Sequence, residues 1–255
     1  MNGAFEIGAV ALDAQQRALN VLANNVANMN TPAFRRQDTQ FAAVMAQTSM
    51  SAMSEAGQAT EASPAAGGVR FAARPTLDVP GEVRQTGSAL DVAIDGSGFI
   101  ELMAPHGRSL LWRGGTLVVN EDGMLASANG YPLADAIRVP DDASKLKIAS
   151  DGQITATGSD GRSLQLGQLT LLRTQGAIEQ LDDGLYRAGE GSRVIEVMPG
   201  EDGAGQIRQG FLEASNVDLT REMVDMLMIQ RAYSANAQVI SAADQLASIT
   251  NSLKR

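Results

Sequence analysis

The chain has 255 residues, 44% of them apolar, which is ample for a core in one large domain or two smaller ones and excludes a disordered chain. Its formal charge of −9 argues against nucleic acid, which needs basic surface, and its lack of cysteine removes disulfides, thiolate metal ligands and thiol nucleophiles. No apolar run approaches the roughly 18 residues of a membrane span, so no membrane insertion is expected. The charge is unevenly placed. Residues 81–210 carry 11 basic and 18 acidic side chains, whereas residues 1–80 and 211–255 are each one charge from neutral, which suits packing of the two ends with copies of themselves.

Phe5, Leu12, Leu19 and Val26 stand seven apart with Ala11, Ala18, Leu22 and Met29 beside them, predicting a first helix over residues 4 to about 30. Asn30-Thr31-Pro32 ends it, because the residue before proline is pushed away from helical angles. Asn24, Asn25, Asn28 and Asn30 crowd its last turns although Asn is a mediocre helix former; they act as local caps or as amides that bond across a subunit contact. Phe34, Phe41, Val44 and Met45 suggest a second, shorter helix. Residues 46–68 are rich in Ala, Ser, Met, Gly, Thr and Gln with Pro64, too poor in large apolar groups to fold alone, and read as a linker or extended loop.

From residue 69 to about 210 the period falls to two. Leu90, Val92 and Ile94 alternate with Asp91, Ala93 and Asp95, and Leu164, Leu166, Leu169 and Leu171 behave likewise around Gly167. Asp151-Gly152 and Asp160-Gly161 are two-residue hairpin signals in which both positions need positive φ, and Asp122-Gly123 and Asp183-Gly184 add turns. The middle is therefore expected to be all-β. Beyond it Leu212, Leu219, Met226, Tyr233, Ile240 and Ala247 recur every seven residues, with Met223, Ile229, Val239, Leu246 and Leu253 widening the stripe. That predicts a long amphipathic helix, roughly 50 Å at about 1.5 Å per residue, started by Asn216 or Asp218 and aided by Glu222 in its first turns. The expected fold class is α+β: N- and C-terminal helices forming a coiled coil around a largely β middle domain, divided as 1–45 helical, 46–68 linker, 69–210 β-rich and 211–255 helical.

Candidate chemistry is sparse. No glycine-rich loop with a neighbouring Lys offers a phosphate cradle. Asp95-Gly96-Ser97-Gly98 lacks the ligand spacing of a calcium loop and reads as a hairpin turn. His106, the one histidine, sits in a loop, and a single His excludes the common two- and three-His metal sets. Glu82, Glu101 and Glu121 could in number supply the two carboxylates of a cell-wall glycosidase, though no spacing singles out a pair. Met223, Met226 and Met228 read as packing residues rather than a soft metal set. No catalytic residue, metal or cofactor is assigned.

Ala23 to Arg35, with its Asn24-Asn25-Val26-Ala27-Asn28 and Thr31-Pro32-Ala33-Phe34-Arg35, resembles the N-terminal signature of bacterial flagellar rod and hook proteins. Leu212-Glu213-Ala214-Ser215-Asn216-Val217-Asp218, with Glu222 to Met226 and Gln230 to Tyr233, resembles their C-terminal signature, and Leu90 to Phe99 their first central strand. The resemblance implies a non-enzymatic subunit of a helical axial polymer that transmits torque, located in the basal-body rod in the periplasm. It further implies export without a cleaved signal through the flagellum's own type III channel, in keeping with a start that has no basic residue before Arg17. Implied partners are copies of itself, other rod and hook subunits, the export apparatus and the ring proteins around the rod. Leu12, Leu19, Leu22, Met226, Tyr233 and Ile240 would bury against neighbouring copies, and Asn24, Asn25, Asn28, Asn216, Gln230 and Arg231 would set register. Val26, Thr31, Pro32, Phe34, Leu212, Val217, Met223 and Leu227 complete the self-assembly set. Within the family, Gln230-Arg231-Ala232-Tyr233 resembles distal rod subunits, and Gly167 to Leu171 with Asp182 to Arg187 resembles proximal ones. A hook subunit and a flagellum-associated glycosidase are the alternatives.

Overall fold

The computed structural model describes residues 2–44, 68–201 and 203–253. The expected linker at 46–68 lies outside the described residues except for Gly68. In chain order the elements are α1 (Asn2–Ala27), β1 (Gln37–Val44), β2 (Gly68–Pro75), β3 (Val83–Gln85), β4 (Asp91–Asp95), β5 (Ile100–Ala104), β6 (Arg108–Trp112), β7 (Gly114–Val119), β8 (Leu125–Ser127), β9 (Ala143–Ile148), β10 (Gln153–Gly158), β11 (Ser163–Gln168), β12 (Leu171–Gln175), β13 (Ile178–Gln180), β14 (Leu185–Ala188), β15 (Arg193–Val197), β16 (Gln206–Gln209), β17 (Phe211–Glu213) and α2 (Leu219–Leu253). They fall into a helical unit of residues 1–26, 38–73 and 219–255, and a β unit of residues 27–37 and 74–218.

In the helical unit α1 and α2 run antiparallel. The Asn25 amide donates to a Glu222 carboxylate oxygen at 3.0 Å, and one helix length away a Cβ on Gly8 would lie 2.8 Å from the Ile240 side chain. These two contacts are separated by similar stretches of both helices, about 26 Å at ~1.5 Å per residue. Small residues allow the approach. The buried line of α1 is Ala14, Ala18, Leu22 and Asn25, with Ala11 half-buried, while Leu12, Leu19 and Val26 of the expected seven-residue line lie beside it, only half-buried. On α2 the inner line is Glu222, Met226, Ile229, Asn236, Ile240 and Ala243; Met223, Val224, Leu227, Met228, Val239, Leu246 and Ile249 are exposed. The expected apolar stripe of α2 is thus split: Met226, Ile229 and Ile240 lie on an inner line interrupted by Glu222, Asn236 and Ala243, Met228 and Val239 border that line beside Ala11 of α1, and Met223, Val224, Leu227, Leu246 and Ile249 are exposed.

The short helix expected over residues 34–45 is instead strand: β1 pairs with β2, and Phe41 meets Phe71 edge to face at 5.8 Å. Strand pairing supplies Phe41 with an aromatic neighbour that no residue within its own local window could provide.

The β unit holds two four-stranded sheets, ordered β16-β4-β7-β8 and β13-β14-β6-β5, a three-stranded sheet β11-β10-β9, and the pairs β12-β15 and β3-β17. One continuous apolar cluster, including Ile94, Ile100, Leu102, Leu117, Leu125, Ile154, Leu171 and Ile207, joins the three sheets and the β12-β15 pair. β4 departs from the alternation read in its sequence, since Asp91, Val92, Ala93 and Ile94 are all buried. The strand lies between β16 and β7, and Asp91 is tolerated there because the hydroxyls of Thr86 and Thr116 donate to its carboxylate at 2.6 and 2.8 Å. In the opposite sense Leu164 on β11 is exposed, while Leu169 and Leu171 are fully buried.

The Asp-Gly turns also differ from expectation. At both Asp151-Gly152 and Asp160-Gly161 only the glycine has positive φ, +86° and +78°. Gly152 N–H donates to Ala149 and Ala149 N–H to Gln153, and the same pattern joins Gly161, Gly158 and Arg162. These are three-residue hairpin turns with a glycine bulge, and Gly123 and Gly130 sit in two more of them. Asp95 to Gly98 is likewise no hairpin: β4 and β5 belong to different sheets, and a Cβ on Gly96 would lie 2.3 Å from Gly205. Asp183-Gly184 does put both residues at positive φ, +59° and +70°.

The turn glycines provide an internal comparison. A Cβ at Gly161 meets nothing, whereas at Gly152 it would lie 2.4 Å from the Leu169 carbonyl oxygen. Gly161→Ala should therefore cost about 1 kcal/mol of backbone strain, and Gly152→Ala about 2–4 kcal/mol once overpacking is added. Urea unfolding of the two variants measures this, and equal midpoints would contradict it.

Candidate functional site: a buried clasp between the two signature segments

The residues following α1 and those preceding α2 meet within the β unit. The guanidinium of Arg35 and that of Arg113 both converge on the carboxylate of Glu213, and all three side chains are at most 2% exposed. Arg35 Nη2 pairs with Glu213 Oε1, and Arg113 Nε with Oε2 at 3.3 Å. Glu213 Oε1 also accepts from the Gly81 N–H at 2.9 Å. The remaining Arg113 donors reach the carbonyls of Gly98 at 3.0 Å and Gly96 at 2.5 Å, and its guanidinium lies 5.4 Å from the centre of the Phe99 ring. Arg35 Nη1 donates to the Val79 carbonyl.

Backbone completes the clasp. Ala33 has φ +58°, a conformation costly for any residue with a Cβ, and it is held by Ala33 N–H to the Glu213 carbonyl at 2.8 Å and Tyr186 Oη–H to the Ala33 carbonyl at 3.0 Å. Asn216 Oδ1 accepts from Arg36 N–H at 2.6 Å while its amide donates to Val79 at 2.8 Å and Thr76 at 3.4 Å. Thr76 in turn donates to the Arg36 carbonyl through both N–H and hydroxyl. Segments 33–36, 76–81 and 213–216 are thereby pinned together.

Burial, then the neighbouring Arg113 charge, lowers the Arg35 pKa below its ordinary value, and Glu213 opposes both. Burial pushes the Tyr186 phenol up, so at neutral pH it is a neutral donor to Ala33. The assembly has no nucleophile beside a base, and its chemistry is that of a structural lock. Among the described residues no group of three or more His, Asp or Glu could hold a metal, and no helix is long and apolar enough to cross a membrane.

Other residues singled out in the sequence are dispersed. Asn25 meets Glu222, and Asn28 accepts a hydrogen bond from the Thr31 hydroxyl at 3.0 Å. Leu22 and Phe34 are buried; Leu12, Leu19, Asn24, Val26, Leu212, Val217, Met226 and Ile240 are half-buried; Pro32, Met223, Leu227, Gln230, Arg231 and Tyr233 are exposed. Glu82 pairs with Arg84 on the surface, Glu101 lies on β5, and Glu121 occupies a hairpin turn. Sequence reasoning did not single out Arg35, Arg113, Glu213 or Tyr186 as site residues. The available signal was a charged residue directly after large apolar ones, in Ala33-Phe34-Arg35 and Phe211-Leu212-Glu213.

Removing one partner from a buried charge cluster leaves the others uncompensated. Glu213→Gln, which sets an amide donor against an Arg donor, should destabilise the β unit by about 3–5 kcal/mol. Glu82→Gln, at the exposed pair with Arg84, should cost under ~1 kcal/mol. Denaturant unfolding of both variants tests the contrast.

Comparison with known proteins accords with this arrangement. Residues 5–35 match the family described as flagella basal body rod protein, residues 93–156 the flagellar hook protein FlgE/F/G D1 domain, and residues 208–253 the flagellar basal body rod FlgEFG protein C-terminal region. The chain is 36% identical over 257 residues to the flagellar basal-body rod protein FlgG of Agrobacterium fabrum, covering 97% of this chain and 98% of that one. It is 32% identical to FlgG of Caulobacter vibrioides, over 98% of this chain and 99% of the relative. It is 31% identical to the flagellar basal-body rod protein FlgF of Rhizobium meliloti, over 88% and 87%. The first and last matched segments contain the two halves of the clasp, Arg35 and Glu213. With three family segments in order and relatives matched over nearly its full length, the chain belongs to the flagellar basal-body rod protein family.

Proposed function

We propose that this chain is a structural, non-enzymatic subunit of the flagellar basal-body rod, in the distal position, whose α1 and α2 assemble with those of neighbouring copies as a coiled coil. Membership of the rod family and near-full-length relatives named FlgG support the rod and the distal position. The self-assembly reading is carried by the outer face of α2. Val224, Met228, Ala235, Val239, Ala242, Leu246 and Ile249 are spaced by threes, fours and one seven, and all are exposed, Val239 at 68% and Leu246 at 64%. That is the spacing of a coiled-coil seam. Each large side chain that becomes buried contributes on the order of 25 cal/mol per Å² of apolar surface.

Gln230 and Arg231, also exposed on α2, would fix register by hydrogen bonds across the same contact. Other rod and hook subunits are the remaining structural partners. Export through the flagellar channel and contact with the rings around the rod belong to the same proposal.

Val239→Glu combined with Leu246→Glu places two charges in the outer seam without touching the β unit. The doubly substituted chain should fail to polymerise, by electron microscopy and sedimentation, while its β unit unfolds at the unchanged denaturant midpoint. In cells, electron cryotomography should show basal bodies that stop partway along the rod. Complete rods built from this variant would overturn the proposed seam.

A further inference from the structure

Within the helical unit α2 outruns α1. With Asn25 facing Glu222 and Gly8 facing Ile240, the start of α1 at Asn2 falls level with Leu246, so residues 247–253, about 10 Å of helix at ~1.5 Å per residue, run past it. Residues 245–253 carry no charged side chain, and Leu246 and Ile249 among them are exposed. Along one side of the helical pair two cavities of about 370 and 380 Å³ share Ala11 and form a groove. Gly8, Ala11, Ala14 and Ala243 keep its floor low enough for a third backbone to approach, and Ile7, Met228 and Val239 wall it with exposed apolar side chains. Among the described residues no charged side chain lines either cavity. Asp225 precedes Met228 by one turn and Asp244 directly follows Ala243, while the Asp13–Arg17 pair lies on the other face of α1 by helical spacing.

We propose that the groove of one copy seats the end of α2 from a second copy, the two α2 helices running in the same direction; this rests on the reading of the chain as a self-assembling rod subunit. The end of α2 cannot reach its own chain's groove, because it continues the helix that walls it, and every copy carries both halves of the contact. An offset of about ten residues, ~15 Å, sets Ile249 beside Val239 and brings the basic Lys254, next after the helix, level with Asp244. Leu246 then lies one turn back, toward Ala232. A charge-free helix end in a charge-free groove leaves no ion to desolvate, and the acidic rim meets a basic chain end. Groove and helix end are different surfaces, so the contact is heterologous and repeats from copy to copy without closing.

The chain has no cysteine, so single-cysteine variants report contacts without background. Full-length Val239→Cys and isotope-labelled Ile249→Cys, both at exposed positions, are mixed and treated with a short bismaleimide, and the adducts are sorted by mass. Random collision gives as many mixed adducts as like-with-like ones; the docked contact should raise the mixed share about fivefold or more through effective concentration. Exchanging Val239→Cys for Arg17→Cys should return the random ratio, as should Leu246→Glu added to the Ile249→Cys chain. The double variant Val239→Cys/Ile249→Cys should give a ladder of linked multimers. A random ratio in the first mixture, or a preference that survives Arg17→Cys or Leu246→Glu, overturns the contact, and a double variant that stops at dimers overturns the shared direction. A chain that polymerises with a random ratio loses this contact and keeps the rod reading. A chain that shows the preference without forming rod-like polymers keeps the contact and counts against the rod reading.

Discussion

The structure of the β unit depends on a carboxylate that two arginines share out of water. Glu213, Arg35 and Arg113 stand far apart in the chain, and Val79, Gly81, Gly96 and Gly98 supply the backbone partners that make their burial tolerable. An apolar cluster of the same volume would bury as well and would not discriminate between neighbouring registers. A charge cluster does discriminate, because a shift of one residue in any of the three segments leaves a guanidinium or a carboxylate buried without its partner. The strained backbone at Ala33 has the same logic: its φ of +58° is held by Glu213 on one side and Tyr186 on the other, so it persists only while the clasp is closed.

The clasp also occupies the points at which the chain enters and leaves the β unit. Residues 27–37 lead in from α1, 74–81 lead in from β2, and 211–218 lead out to α2. Three crossings held by one network give the β unit a fixed set of exits whatever happens to the helices beyond them. That separates the folding of the β unit from the packing of the helices. The family's two terminal signatures thereby acquire a physical meaning: part of each, Arg35 and Asn216 among them, is spent within the subunit rather than between subunits.

What could be read from the residues is what depends on short windows. The two long helices follow from apolar groups at helical spacing, the β middle from period two, and the turns from Asp-Gly. What could not be read depends on partners distant in sequence. Phe41 looked helical because Phe71 was invisible to a local window, and β4 looked half-exposed because β16 and β7 flank it only in three dimensions. At Asp151-Gly152 and Asp160-Gly161 the expected place of the turn is right and its type is not, since only the glycine needs positive φ in a three-residue turn and the sequence is the same for both, whereas Asp95-Gly96 joins strands of different sheets. At the clasp, Arg35 and Glu213 stand in recognisable motifs directly after large apolar residues, a local hint of burial, but their pairing with each other and with Arg113 depends on segments distant in sequence.

The helices carry the most instructive difference. The inner seam of the helical pair mixes Gly8, Ala11, Ala14, Ala18 and the Asn25–Glu222 pair with Leu22, Met226, Ile229 and Ile240, while Leu227, Leu246 and Ile249 are exposed and Met228 and Val239 border the seam beside Ala11. Much of the apolar surface of α2 nonetheless lies outside this pairing. The pairing is well specified: sliding α2 by one turn would part Asn25 from Glu222 and bring a different side chain against Gly8, where nothing larger fits. Register is thus set inside the pair, while Leu227, Leu246 and Ile249 leave apolar surface on α2 whose burial would still be favourable.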